Sequence, residues 1–431
     1  MTTSRPSPGE CFVYITLPGR TEAVTAGRFQ LVADRGGTPV GRFVYGRFYL
    51  DRADAVAIDP VELTLARGTT YETTRLNGVF GALRDAGPDY WGRLVIERHA
   101  GRARLGELEY LLESPDDRAG ALGFGLGREP PAPRRTFNRT IALATLQAIA
   151  DALVRDEMGR PGDAAAVQVQ ELLLLGTSMG GARPKTVVED GDGLWLAKFG
   201  TPQDRWSMAR VEHAMLVFGR SIGLAVAESR VVEIGGRDVL LVKRFDRART
   251  ESGYLRGRMI SGLTLLRADD APEVRDRWSY VLLAEELRRV TAEPRRNAQE
   301  LFRRMVFNAL ISNTDDHPRN HAVLAMNDSW SLSPAYDLVP ASPVSLERRD
   351  LAMACGNAGR YANAANMLSQ AARFLLSRDE AAAIIQRMRD AVRDGWYATA
   401  RGQGVSERDC ALISGAFAYP GFDLPLPPDA G

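Results

Sequence analysis

Residues 11–50 alternate apolar and polar positions between glycine-rich turns, which predicts a β-rich start built of short antiparallel strands. Over 83–98 (LRDAGPDYWGRLVIER) and 105–112 the apolar spacing becomes helical. All periodicity then breaks at 126–135 (LGREPPAPRR), where three prolines mark a linker and a domain boundary. Helical spacing returns over 140–154 and 164–175. Strand-like runs follow at 186–189 and 194–199, then a helix over 206–219 and strands at 230–234 and 239–242. From residue 280 onward the pattern is mostly helical. Its clearest member is 298–312 (AQELFRRMVFNALIS), in which Leu301, Phe302, Met305, Val306, Ala309 and Leu310 form one apolar face. The expected architecture is α+β: a β-rich segment over 11–125, a Pro-rich linker over 126–138, a small mixed lobe over 139–265 and a helical lobe over 266–420.

Composition narrows the class. With 431 residues, 45% of them hydrophobic, the chain is long enough to bury substantial cores. No apolar run approaches the roughly 20 residues that span a bilayer, and residues 1–10 lack a secretion signal. The expectation is a cytoplasmic protein without a membrane partner. Cys11, Cys355 and Cys410 lie far apart and form no CxxC pair, which argues against a disulfide framework or a zinc knuckle. A net charge of +1 gives no global steering toward nucleic acid. One bias changes the picture. Of 55 basic residues only Lys185, Lys198 and Lys243 are lysines, and a chain that uses Arg almost everywhere should keep Lys mainly where a compact ammonium is needed.

Candidate chemistry gathers at residues 313–324, NTDDHPRNHAVL, held by the packed helix before it. Asp315 and Asn320 have the Asp-x-x-x-x-Asn separation that the protein-kinase catalytic loop uses between its base and a metal-holding amide. Two short strands, HAVLAM and WSLS, then form a hairpin that brings the chain back at Asp337. Phosphoryl transfer needs this set: a carboxylate to accept the proton of an attacking hydroxyl, and a carboxylate and an amide oxygen to hold Mg²⁺. Lys198, in the strand-like LWLAKFG, suits a phosphate contact, and Gly176, Gly180 and Gly181 in GTSMGGARPK have backbones that phosphates can approach closely. Glu212, on the following helix, either orients Lys198 or lies on a solvated helix face. His317 and His321 stand four apart, which invites a metal-hydrolase reading, but Pro318 argues against one helix across the pair and a third ligand is not evident. His317 is expected instead to hydrogen-bond to the loop backbone and His321 to start the strand. Asp316 either faces solvent or steadies the loop. Trp91, Trp195 and Trp278 read as core or interface residues rather than base-stacking platforms.

The order SMGGARPK, LAKFG, VEHAMLVFGRSIGL, LVKRFDR, NTDDHPRNH and LSPAYDLVP resembles the HipA family, the Ser/Thr kinase toxins of bacterial toxin–antitoxin pairs. The β-rich start and FGALRDAGPDYWGR resemble that family's N-terminal subdomain, so the likeness covers nearly the whole chain. It implies a two-lobed protein-kinase-like fold with the β-rich subdomain added. It also implies ATP and Mg²⁺ as cofactors, Asp315 as catalytic base, and Asn320 and Asp337 as metal ligands. Lys198 would contact the ATP phosphates. Ser178, Gly180, Gly181, Ala182 and Lys185 would form the glycine-rich loop over the nucleotide, with His317 and Asn320 also in the ATP site. Ser178 matches a serine that is autophosphorylated in the family, with Thr177 as a second or substitute site. A phosphate there would add roughly −1.5 to −2 charges beside ATP and expel the loop. The implied partners are a small helix-turn-helix antitoxin, operator DNA bound indirectly through it, and a protein substrate of the translation machinery such as an aminoacyl-tRNA synthetase. Two departures stand out: Val211 where many relatives carry Asn, and Leu-Val-Pro after Asp337 in place of Phe-Gly. The alternative reading is a free-standing or catalytically inactive module that acts by binding an antitoxin or a DNA-bound partner. Retention of Asp315, Asn320, Asp337 and Lys198 together favours activity.

Overall fold

The computed structural model describes residues 9–133, 137–139, 142–154, 183–342 and 345–426. The chain divides into two compact units, one of residues 1–201, 243–260 and 324–329, the other of 202–242, 261–323 and 330–431.

In the first unit the alternating start becomes a five-stranded antiparallel sheet. Its order is Tyr71–Thr73, Pro39–Tyr45, Ala23–Ala33, Glu10–Thr16, Leu122–Gly125. Cys11, Val13, Ile15, Phe29 and Phe43 are all fully buried from this sheet, as the alternating pattern requires. The predicted helix over 83–98 is two helices, Gly81–Asp85 and Tyr90–Ala100, because Gly87-Pro88 interrupts it. Asp89 caps the second, its carboxylate accepting from the Gly92 N–H at 2.6 Å. A further sheet places Asn138–Arg139 parallel to Lys185–Asp190, which pairs antiparallel with Gly193–Phe199. The charged segment 247–256 adds a hairpin, Arg247–Thr250 with Gly253–Arg256, that the periodicity does not predict.

Within this unit, buried charges join residues on either side of the Pro-rich segment. Arg244 is fully buried. It donates to Asp246 at 3.0 and 2.8 Å, to Asp117 at 2.5 Å and to the Arg118 carbonyl at 2.8 Å. Arg247 donates to Asp246 at 2.7 Å and to the Gly120 carbonyl at 2.9 Å. Burial alone would raise the Asp246 carboxyl, but the guanidiniums of Arg244 and Arg247 hold it well below the ordinary carboxylate range.

The second unit is mostly helical. Met208–Ser221 precedes the hairpin Ser229–Ile234 and Arg237–Lys243, and the helices Tyr280–Val290, Pro294–Leu310 and Arg378–Gly402 follow. Pro294 stands at the first turn of its helix, where the missing N–H costs nothing. All six residues of the predicted apolar face are fully buried, and the helix packs against Tyr280–Val290 and Arg378–Gly402. Each of the five larger side chains contributes roughly 1.5–3 kcal/mol on burial, so the end of this helix is a rigid platform. No helix among the described residues is long and apolar enough to cross a membrane.

Candidate functional site

The platform ends in a turn that aims the polar loop. Ser312 takes a left-handed backbone (φ 54°), the Ser312 N–H bonds to the Ala309 carbonyl at 3.2 Å and the Asn313 N–H to the Asn308 carbonyl at 2.8 Å. This is a Schellman termination with serine where glycine is usual. The Ser312 hydroxyl donates to the Ala416 carbonyl, a bond that glycine would lack. Beyond it the Asp315 carbonyl accepts from the His317 N–H at 2.7 Å and from the Asn320 amide at 3.4 Å, and Pro318–Asn320 forms one turn of 3₁₀ helix. The loop is pinned from outside as well. Arg319 pairs with Asp270 at 2.8 Å, and the Tyr336 hydroxyl donates to the Arg319 carbonyl at 2.8 Å. Gly262 passes so close that a Cβ there would lie 2.7 Å from the Pro318 carbonyl oxygen.

Asp315 and Asp316 receive opposite environments. The Asp315 side chain is exposed, whereas Asp316 is only 1% exposed. Asp316 accepts from the Tyr280 hydroxyl, from the Asn308 amide at 2.7 Å and is 2.7 Å from His321 Nε2. It therefore steadies the loop rather than facing solvent. Burial and the Asp316 carboxylate push the Tyr280 phenol well above its ordinary range, so it remains a donor. Tyr280 and Asn308 were not marked by spacing, although a polar Asn inside an apolar helical stripe was the available signal. His321 starts the strand Ala322–Ala325 as expected, with its ring committed to Asp316.

The Asp315 carboxyl is raised above the ordinary carboxylate range. Partial burial is the main cause, His317 opposes it, and the neighbouring Asp337 and Asp316 carboxylates add to it. Asp337 thus lies within electrostatic reach of Asp315. The Asp337 backbone is left-handed (φ 60°), a conformation that costs a non-glycine residue about 1–3 kcal/mol and persists where surroundings impose it. Part of that constraint is the bridge of Ala335 to the 225–227 segment, with bonds of 2.8 and 2.9 Å. His317 contacts the loop backbone through its own N–H rather than its ring. The ring packs edge-on against Trp278, and its buried Nδ1 finds no hydrogen-bond partner among the described residues.

The other expected residues fall in different settings. Lys198 is half-buried on Gly193–Phe199, directly across from Lys185 in the antiparallel register. The Lys185 ammonium, expected at the nucleotide, is 1% exposed and 2.5 Å from the Asp89 carboxylate, while its carbonyl accepts from the Trp91 indole at 3.1 Å. Burial holds the Asp89 carboxyl above its ordinary range, and Lys185 offsets only part of that rise. Lys243 pairs with Asp192 at 2.8 Å. Glu212 is only 6% exposed, which removes the solvated-face alternative for that helix position. Trp91, Trp195 and Trp278 are buried. Thr177, Ser178, Gly180, Gly181 and Ala182 lie outside the described residues.

The fold is that of HipA. The chain aligns with HipA from the Shewanella oneidensis MR-1 toxin–antitoxin complex with HipB and its operator DNA, at a TM-score of 0.68, over 93% of this chain and 95% of that one, with 18% identity. The chain belongs to the HipA-like C-terminal domain family, which it matches over residues 177–396. A putative kinase of Haemophilus influenzae is 25% identical over 194 residues, 39% of this chain and 54% of that protein. The putative kinase Y4mE of Sinorhizobium fredii is 28% identical over 128 residues, 28% of this chain and 29% of that protein. The chain thus spans about half of the first relative and under a third of the second.

Proposed function

We propose that the protein is an ATP-dependent Ser/Thr protein kinase, the toxin component of a toxin–antitoxin pair, acting on a protein substrate. The observation that carries the reading is the loop of Asp315 and Asn320, tied to Asp337 by Asn313, whose amide donates to the Asp337 carbonyl at 3.1 Å. Asp315 orients the substrate hydroxyl and accepts its proton as attack proceeds. Asn320 gives its amide nitrogen to the Asp315 carbonyl, so its oxygen is the end for a cation, and with the Asp337 carboxylate it makes a hard-oxygen donor set of the kind Mg²⁺ prefers. A divalent cation would also relieve the repulsion between the two carboxylates, and its chemistry is to neutralise phosphate charge. Lys198 is the proposed ATP-phosphate contact and Glu212 the orienting carboxylate. His317, in the same loop, is a further proposed ATP-site residue. Ser178 is the proposed autophosphorylation site, and Gly180, Gly181 and Ala182 are proposed nucleotide-loop residues. The proposed partner is a small helix-turn-helix antitoxin through which operator DNA is engaged.

Incubation of the purified protein with labelled ATP and Mg²⁺, followed by phosphosite mapping on itself and on a bacterial extract, tests the reading. Transfer to Ser or Thr, including Ser178, is the expected result; no nucleotide binding and no labelled protein would end it. In the same assay Asp337→Ala should lower kcat by about 10²–10³-fold and displace the Mg²⁺ titration to higher concentration. Unchanged turnover would remove Asp337 from the metal site.

A further inference from the structure

We infer that Asn308 and Asn313 are positioning residues that hold the base-bearing loop and Asp337 in one frame, a role that rests on the phosphoryl-transfer reading above. Both are buried, at 1% and 3% exposure, and neither reaches toward solvent where a substrate would sit. The Asn308 amide nitrogen donates to Asp316 at 2.7 Å, and its amide oxygen accepts from Asn313 Nδ2 at 3.1 Å. The same Asn313 nitrogen donates to the backbone carbonyl of Asp337 at 3.1 Å. A continuous chain of hydrogen bonds therefore runs from the residue beside Asp315, through two carboxamides, to the left-handed residue assigned to the metal.

Only a carboxamide can serve at position 308. Its two ends are a donor facing a carboxylate and an acceptor facing an amide, so Asp would set two carboxylates against each other and an apolar isostere would leave Asp316 and Asn313 short of partners. Asn313 is fixed from its own backbone by the 2.8 Å bond of the Schellman turn, which makes it a rigid strut rather than a flexible contact. The Asp337 carbonyl it holds belongs to a residue whose φ of 60° needs outside support. Reactions run by positioning are sensitive to small displacements, and a shift of about 1 Å in a catalytic group can cost roughly 10²-fold in rate. The outcome of loosening this frame is a slower chemical step with the nucleotide still bound.

The test uses the full chain. Wild type, Asn308→Ala, Asn308→Asp, Asn313→Ala and the double Asn308→Ala/Asn313→Ala are compared for kcat, for KM toward ATP, for the Mg²⁺ midpoint and for thermal unfolding, with Asp315→Asn as the inactive control. Each single Ala variant should lower kcat by about 10- to 100-fold with KM for ATP little changed. Asn308→Asp should be no better than Asn308→Ala, and the double variant should be no slower than the worse single one, because one chain is cut either way. Wild-type kcat in both single variants would overturn the inference, as would losses that multiply in the double variant or vanish once activity is corrected for the folded fraction. If wild type itself transfers no phosphate, the kinase reading fails and takes this inference with it; an active wild type with indifferent Asn variants sinks the inference alone.

Discussion

Replacing Asp315 by Asn is expected to lower phosphoryl transfer by about 10²- to 10⁴-fold, the usual contribution of a positioned general base. The substitution is clean on structural grounds. What holds the loop is the Asp315 carbonyl, which accepts from the His317 N–H and the Asn320 amide, and that carbonyl survives the change. The residue is only partly buried, and its carboxylate makes no hydrogen bond among the described residues. Nucleotide affinity should therefore persist while turnover collapses, the signature of an interaction made only in the transition state. Single-turnover transfer alongside equilibrium nucleotide binding checks both halves. A variant that turns over like wild type would show that another group takes the proton.

Lys185→Met is expected to destabilise the protein by about 3–5 kcal/mol, because it strands the Asp89 carboxylate in a buried setting. Adding Asp89→Asn should recover most of that loss: Asn still caps the Tyr90–Ala100 helix, and no unpaired charge remains inside. Urea denaturation of the two variants and wild type measures the difference. The experiment also separates two roles for this lysine. A nucleotide contact would cost ATP affinity, cost little stability, and gain nothing from Asp89→Asn.

The sequence reading went furthest where one periodicity ruled. The apolar face of 298–312 named its own core residues, and all six are buried. The alternating start gave a sheet. It stops where a side chain's partner is distant along the chain: Lys185 stands next to a glycine cluster, and nothing local announces Asp89, the carboxylate it bonds 96 residues away. Asp316 and Asp315 are adjacent and identical, so composition cannot tell a solvent-facing carboxylate from a buried acceptor; only the tertiary arrangement of Tyr280, Asn308 and His321 separates them. The hairpin 247–256 was missed because its strands carry Arg and Thr at positions where apolar alternation was sought. Glu212 was left open between two settings, and burial decided against solvent.

The cluster of Arg244, Arg247, Asp117 and Asp246 bears on how this chain can be divided. Family similarity begins at residue 177, yet two guanidiniums beyond that point lean on acceptors contributed by residues 117–120. A fragment cut to the similarity boundary would keep Asp246 against both guanidiniums but lose Asp117 and the Arg118 and Gly120 carbonyls, leaving one buried positive charge in excess, and should be recovered as inclusion bodies rather than as a folded half.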